Sequence, residues 1–445
     1  MTMTRLSFLI ALSLLAGGCT TLQPQQDYSR ISDAVTRAGA PATPLPAASS
    51  RYLDPAFFDE ELTVDRAAQA ALANNPKVRA ELARLDTAHA ERVQAGLLKN
   101  PMLSLMVLRP EGGGRYELDY GLTQDLFDLF TRSRRVSVAD AASDRIEAQV
   151  IGALVALVQD TRAAYFEVQV AQARVDAQHV LLRLENEALA LRKRQAGSGA
   201  ITASTILEQQ SAVSVQAHEA GFAQSELDRA RATLAQLLGQ PTAVALRLPA
   251  QLPRFVLPGL DEPGLQALAQ AHRSQLQAAA AFLDETVAER SLQVGALRST
   301  QPTLGPAGMR GASGMSLYGG SVQVSLPVFD TGRARRDIAA ARVAQAEFAA
   351  QSVRRQVPLE VEVAIARLLA ADAAAKAADH HLQQQRQLET LAHRIYRQGA
   401  ADASGYFQAR RALLASVMDQ LDSQQARWDA LIALERATGS VLSSL

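Results

Sequence analysis

The feature that most limits what this chain can fold into is a proline-free run from Thr131 to Gly197. As one helix its roughly 67 residues would span about 100 Å, whereas helices of compact domains average about 11–12 residues. A second stretch, Arg333 to Arg397, has the same helical character. No compact core needs rods of this length, so their length must serve reach. In the first rod Ile146, Val150, Leu154 and Leu157 form an apolar stripe at helical spacing. The second contains Pro358, which has no counterpart in the first. A bend or wide turn is expected there, because proline lacks an N–H and crowds the preceding turn.

Each rod follows a strand-like hairpin. In the first, 101–126, Met102 to Leu108 leads through Pro110-Glu111-Gly112-Gly113-Gly114 into Tyr116 to Leu126. There Tyr116, Leu118, Tyr120 and Leu122 alternate with Glu117, Asp119, Gly121 and Thr123, which gives one apolar and one polar face. The second hairpin, 302–328, places Val322, Val324 and Leu326 against Ser321, Gln323 and Ser325. Runs of about 9–11 residues also suit tilted membrane-spanning strands. From these residues alone, a soluble hairpin lying on a core fits equally well.

The hairpins belong to a tandem duplication. Leu85-Asp86 and Glu91-Arg92 recur as Leu283-Asp284 and Glu289-Arg290 at an offset of about 198, and Phe127-Asp128 recurs as Phe329-Asp330. Gly199-Ala200 matches Gly399-Ala400, and Gly239 matches Gly439. Each repeat, 62–240 and 261–440, therefore reads as helix, hairpin, long helix, helix. The first helix breaks near Asn74-Asn75-Pro76, and Gly239 is a candidate glycine cap. The proline-rich segment 241–260 is expected to be a linker at mid-height, with 441–445 a short tail.

Composition excludes several functions. Forty-five basic and 45 acidic side chains leave no net charge, so there is no electrostatic case for nucleic acid. Aromatic residues are only 5%, which suits close helix packing through small side chains. The single cysteine, Cys19, rules out a disulfide framework. It follows Arg5, the apolar run Leu6 to Leu15 and Ala16-Gly17-Gly18. Residues 1–18 thus resemble a bacterial lipoprotein signal, with Cys19 as the acylated residue, although Ala16 stands where leucine is usual. Thr20 after the cysteine favours the outer membrane. Residues 19–61, with Pro24, Pro41, Pro44 and Pro46, read as an extended tether.

Two hairpins give four strands, which cannot close a barrel in lipid. A homotrimer would supply twelve, with the rods forming a coaxial helical cylinder. Here the chain resembles the TolC-like outer-membrane efflux proteins over about residues 62–440, most specifically at Leu326-Pro327-Val328-Phe329-Asp330-Thr331-Gly332 and in the double repeat. The resemblance implies a mainly α fold with membrane β: a long α-helical barrel plus a twelve-stranded β-barrel built by three chains. It also implies a lipid-anchored exit duct in the outer membrane, with the α-barrel in the periplasm. The expected partners are an adaptor and an inner-membrane pump of the resistance-nodulation-division type. Leu97-Leu98-Lys99-Asn100-Pro101 and Ala71-Leu72-Ala73-Asn74-Asn75-Pro76 are most similar to the cobalt–zinc–cadmium and copper branch. Heavy-metal ions are therefore the expected cargo, and drugs the alternative.

No catalytic constellation and no cofactor motif is present, so no enzymatic activity is expected. His380 and His381 are weak metal candidates, because adjacent helical residues diverge by about 100°. The family resemblance places the entrance gate and adaptor contact at the helical tips, here Arg194, Gly199, Arg397, Gly399, Asp402, Tyr406, Gln408 and Arg411. Relatives often carry an acidic ring in the second tip. Gln408 stands at that position here, and Asp402 is the nearest acid. The competing reading is a periplasmic adaptor lipoprotein with a long helical hairpin, which would need β-rich flanking domains.

Overall fold

The computed structural model describes residues 28–41, 45, 52–125, 127–197, 201–240, 246–250, 252–259, 261–295, 302–326, 328–400 and 402–442. Cys19 and the signal-like segment lie outside them. The elements run α1 (Ser29–Arg37), a 3-10 turn (Pro55–Phe58), α2 (Val64–Asn74), α3 (Pro76–Gly96), β1 (Met102–Leu108), β2 (Glu117–Asp125) and α4 (Phe127–Gly197). They continue with α5 (Ala203–Leu237), α6 (Glu262–His272), α7 (Ser274–Gly295), β3 (Thr303–Arg310), β4 (Ser316–Gln323), α8 (Arg333–Arg397) and α9 (Ala403–Thr438).

The rods are α4, with 71 residues, and α8, with 65. α4 starts four residues before the expected Thr131, because the junction supplies its own anchor. Asp128 Oδ2 accepts the Lys99 backbone N–H at 2.9 Å and Oδ1 pairs with Arg135 at 2.7 Å. Its repeat counterpart Asp330 accepts the Gly332 N–H at 2.8 Å. An acid at the start of a helix also complements the helix dipole.

α3 and α5 both pack along α4, while α7 and α9 pack along α8. Gly239, at the end of α5, closely abuts the Asn74-Asn75 joint between α2 and α3, so the short helices stack end to end beside the rod. Asn75 caps α3 through Lys77 N and donates to Leu237 O at 2.8 Å, closing that joint. α7 and α9 also contact α4, which binds the two repeats into one body.

The waist holds the densest core. Phe166 of α4 stacks on Trp428 of α9 at 4.3 Å, and Phe255 of the 252–259 segment meets the same indole edge-on at 5.2 Å. Beside them Arg162 and Glu435 form an ion pair at 2.6 Å with side chains 2% and 0% exposed. Its Coulomb attraction offsets a large desolvation cost, so losing either partner alone would be far more damaging than losing both.

Residues 29–37 depart from the expected extended tether. They form α1, whose Ile31, Ala34 and Val35, with Ala38 at its C-cap, are buried in the same core. The i, i+3, i+4, i+7 spacing explains why a helix forms there. Val441 N donates to Arg37 O at 2.7 Å, so the 441–442 segment is part of the packed waist. At Pro358 α8 is α-helical through residues 354–358, so the wide turn does not form there.

The strands form a single antiparallel sheet of order β1-β2-β3-β4. Directly opposed residues share a face. The register pairs Leu103 with Leu122, Leu105 with Tyr120 and Val107 with Leu118, so these six apolar side chains line one face. Ser104, Met106, Gly121 and Asp119 line the other. β4 stops at Gln323, so Val324 and Leu326 lie beyond the strand and are exposed. Among the described residues β1 and β4 are free edges.

Candidate functional site

With each rod beginning at a strand, the α4–α5 and α8–α9 turns lie at the opposite end, about 100 Å away. The second turn is built by Gly399. At φ 70° it gives Gly399 N→Tyr396 O (3.0 Å) and Ala400 N→Ile395 O (3.2 Å), a left-handed glycine cap that satisfies the last carbonyls of α8. Gly199, its repeat partner, lies outside the described residues.

The structure divides the remaining tip residues into three groups. Arg194 and Arg397 are exposed ends of α4 and α8, where a positive charge complements the helix C-terminus. Tyr406 belongs to an aromatic cluster. Tyr396 stacks on it at 5.7 Å, His393 lies 5.0 Å away, and Arg410 donates to its hydroxyl at 2.6 Å. Asp402, Gln408 and Arg411 line a shared cleft with Arg192 and Phe407. Asp402 is the N-cap residue of α9, and the Ser404 hydroxyl, donating at 2.6 Å, holds its carboxyl below the usual carboxylate range.

Arg411 does more than line the cleft. Its guanidinium grips Glu185 of α4 with both arms, Nη2 to Oε2 at 2.8 Å and Nε to Oε1. Gln209 of α5 donates to the same carboxylate at 2.6 Å and to the Glu185 carbonyl at 3.2 Å. Burial alone would raise the Glu185 pKa. The hydrogen bonds from Arg411 and Gln209, with the charges of Arg411 and Arg192, outweigh burial and hold it below its usual value. One buried carboxylate thus ties α4, α5 and α9 together just above the tips. Neither Glu185 nor Gln209 was singled out by sequence; an isolated acid mid-helix gives no signal unless its distant partner is known.

His380 and His381 are both exposed, and His381 lies 3.2 Å from Gln385. Among the described residues no group of three His, Cys, Asp or Glu side chains is placed to hold a metal ion. No described helix is long and apolar enough to cross a membrane.

The model of the outer membrane efflux protein family matches residues 67–240 and 265–440, one repeat each. The chain belongs to the outer membrane efflux protein family. No curated protein matches it by sequence. Among solved structures, a membrane protein from Pseudomonas aeruginosa is 22% identical, with a TM-score of 0.71 over 90% of this chain and 99% of that one. CusC, described in connection with transmembrane channel formation, is 21% identical, with a TM-score of 0.70 over 90% and 98%. The MtrE outer membrane channel of Neisseria gonorrhoeae, solved in an open state, is 18% identical, with a TM-score of 0.69 over 91% and 98%. At such identities the likeness is one of fold.

Proposed function

We propose that three copies of this chain form the outer-membrane exit duct of a tripartite efflux system. The observation that carries this reading is the four-stranded sheet with two free edges at one end of rods about 100 Å long. Open edges are not tolerated in lipid, so each sheet must join its neighbours. Three sheets give twelve strands, within the range of membrane barrels. The rods then continue the bore through the periplasm, and the tips form its entrance and the adaptor contact. The duct is passive, and the inner-membrane pump, of the resistance-nodulation-division type, selects the cargo. Acylation of Cys19 adds a lipid anchor.

A periplasmic adaptor is the weaker reading, since both repeats match the efflux family and the one described sheet is built from their hairpins. Heavy-metal ions as cargo rest on the motif resemblance alone. Asn74 accepts the Leu53 N–H at 2.7 Å and Asn75 closes the α2–α3 joint, which are architectural roles that any cargo would permit.

Two measurements test the reading. Detergent extracts of outer membranes should yield a particle of three chains by light scattering, and a monomer in the soluble periplasmic fraction would overturn it. Reconstituted protein should conduct ions across planar bilayers. For the cargo, deletion of the gene should sensitise cells to cobalt, zinc, cadmium or copper salts; sensitivity to organic drugs alone would transfer the cargo to that class.

A further inference from the structure

The two repeats turn at equivalent joints but with different chemistry. In the first, Asn75 reaches the carbonyl end of α5 at Leu237. In the second, Arg273 takes that place, donating to Arg436 O at the end of α9. Gly439 lies against the His272 carbonyl as Gly239 lies against that of Asn74. The second joint has therefore replaced neutral amides by His272 and Arg273, and a cavity of about 160 Å³ opens beside it, lined also by α1, the middle of α4 and the end of α9.

The lining is rich in donors. Arg273 is engaged by Glu360 and Arg436 by Asp160, so those two charges are balanced. Arg37, reaching in from α1, has no described side chain paired with its guanidinium. Gln159 of α4 also lines the cavity and is 2% exposed, yet among the described residues its Nε2 has no hydrogen-bond partner. An unpaired buried donor costs about 1–3 kcal/mol, so such a group calls for an acceptor that the described residues do not supply. Ser274 adds a hydroxyl at the start of α7, a 22-residue helix whose first N–H groups favour negative charge. Burial and the neighbouring Arg37 charge lower the pKa of His272, so near neutral pH it offers a ring N–H without adding a charge. Of the charged side chains that line the cavity, Arg37, Arg273 and Arg436 are all positive, which disfavours a cation. A drug-sized molecule would need about 300–1,000 Å³.

We infer that this waist cavity binds a small oxyanion of the phosphate or sulfate type, held by Arg37, Gln159 and Ser274. The bound anion would bridge α1, α4 and the α6–α7 joint. It would pin the N-terminal helix to the waist of the second repeat, and by mass action stabilise the folded chain. This inference is independent of the duct reading, because it needs neither the barrel nor the tips.

The test uses the full chain in detergent, titrated with sodium phosphate against sodium chloride at matched ionic strength. The expected result is a saturable rise in the thermal midpoint and one phosphate per chain by calorimetry, with sulfate competing. Arg37→Gln, a change at an exposed side chain that leaves the core intact, should weaken phosphate binding by about tenfold or more. Arg37→Lys should retain most of it, and Gln159→Leu should weaken it similarly to Arg37→Gln. Glycerol phosphate serves as the arm for a lipid headgroup; tighter binding of it than of inorganic phosphate would overturn the free-anion assignment. An equal rise with chloride, no saturable binding, or undiminished binding by the Arg37→Gln protein would each overturn the site.

Discussion

Glu185 of α4 joins Gln209 of α5 and Arg411 of α9 just above the tips. Its carboxylate is 7% exposed and bonded to side chains from two other helices, one of them 226 residues away in sequence. Because its folded pKa lies below the ordinary value of 4.5, its stabilisation is fully present above that pH and is lost as pH falls through the lower, folded-state value. Glu185→Gln keeps the shape and removes the charge. It should cost about 1–2 kcal/mol near neutral pH, discounted because Arg411 is partly exposed. The loss should shrink toward zero in acid, read as converging denaturation midpoints for wild type and variant. If the tips are the entrance, single-channel conductance should rise in the same variant. A pH-independent loss of stability would assign Glu185 to packing alone. Sequence reading pointed to Arg411 and to its neighbourhood, because helix ends and charge clusters are local signals. It could not supply Glu185, whose meaning comes from a contact between repeats. Gln408 is exposed beside Asp402, and Asp402 has an N-cap position in addition to any effect on the cargo.

At the scale of elements, the repeat and the rods were legible because they rest on proline placement, glycine caps and periodicity. The Arg333–Arg397 rod ends where the sequence places it. The start of α4 was less legible, because its anchor at Asp128 comes from the hairpin. α1 was hidden by the proline-rich composition around it, although its apolar spacing was readable. The glycine caps yield a graded prediction. Gly399 and Gly439 both have φ near 70°, yet a Cβ at 399 would meet nothing within 4 Å, while one at 439 would stand 2.8 Å from the His272 carbonyl oxygen. Gly399→Ala should therefore cost only the left-handed backbone term, about 1–2 kcal/mol. Gly439→Ala should cost more, because the α6–α7 joint must also shift. Thermal unfolding of the two variants checks this, and equal losses would refute the contact argument. Pro358 remained in helix because a single missing N–H can be tolerated in a rod packed along its length. Its ring borders a groove with Leu276 and Ala280 of α7.

The whole molecule turns on which face of the sheet meets lipid. Leu103, Leu105 and Val107 share a face with Leu118, Tyr120 and Leu122, and the register continues that face through Gly308 to Tyr318. The opposite face carries Ser104, Asp119, Gly121 and Ser321 among Met102, Met106, Met309 and Leu317, and its Asp119 is the only strand carboxylate on either face between Leu118 and Leu122. All of β1 is exposed in the single chain, so burial alone does not distinguish the faces, but the register does. In a closed barrel the apolar face must look outward, since water can fill the bore but not the hydrocarbon. Leu105→Arg would then place a charge in lipid, at a cost of about 2–4 kcal/mol near the bilayer centre in each of three copies. Ser104→Arg, one residue away, would place the same charge in the bore at little cost. The expected outcome is loss of the assembled, detergent-resistant oligomer from outer membranes for Leu105→Arg, and normal assembly with altered conductance for Ser104→Arg. The opposite pattern would invert the sheet. Equal tolerance of both substitutions would mean that the four strands never enter a membrane, and the rods would then need another reason for their length.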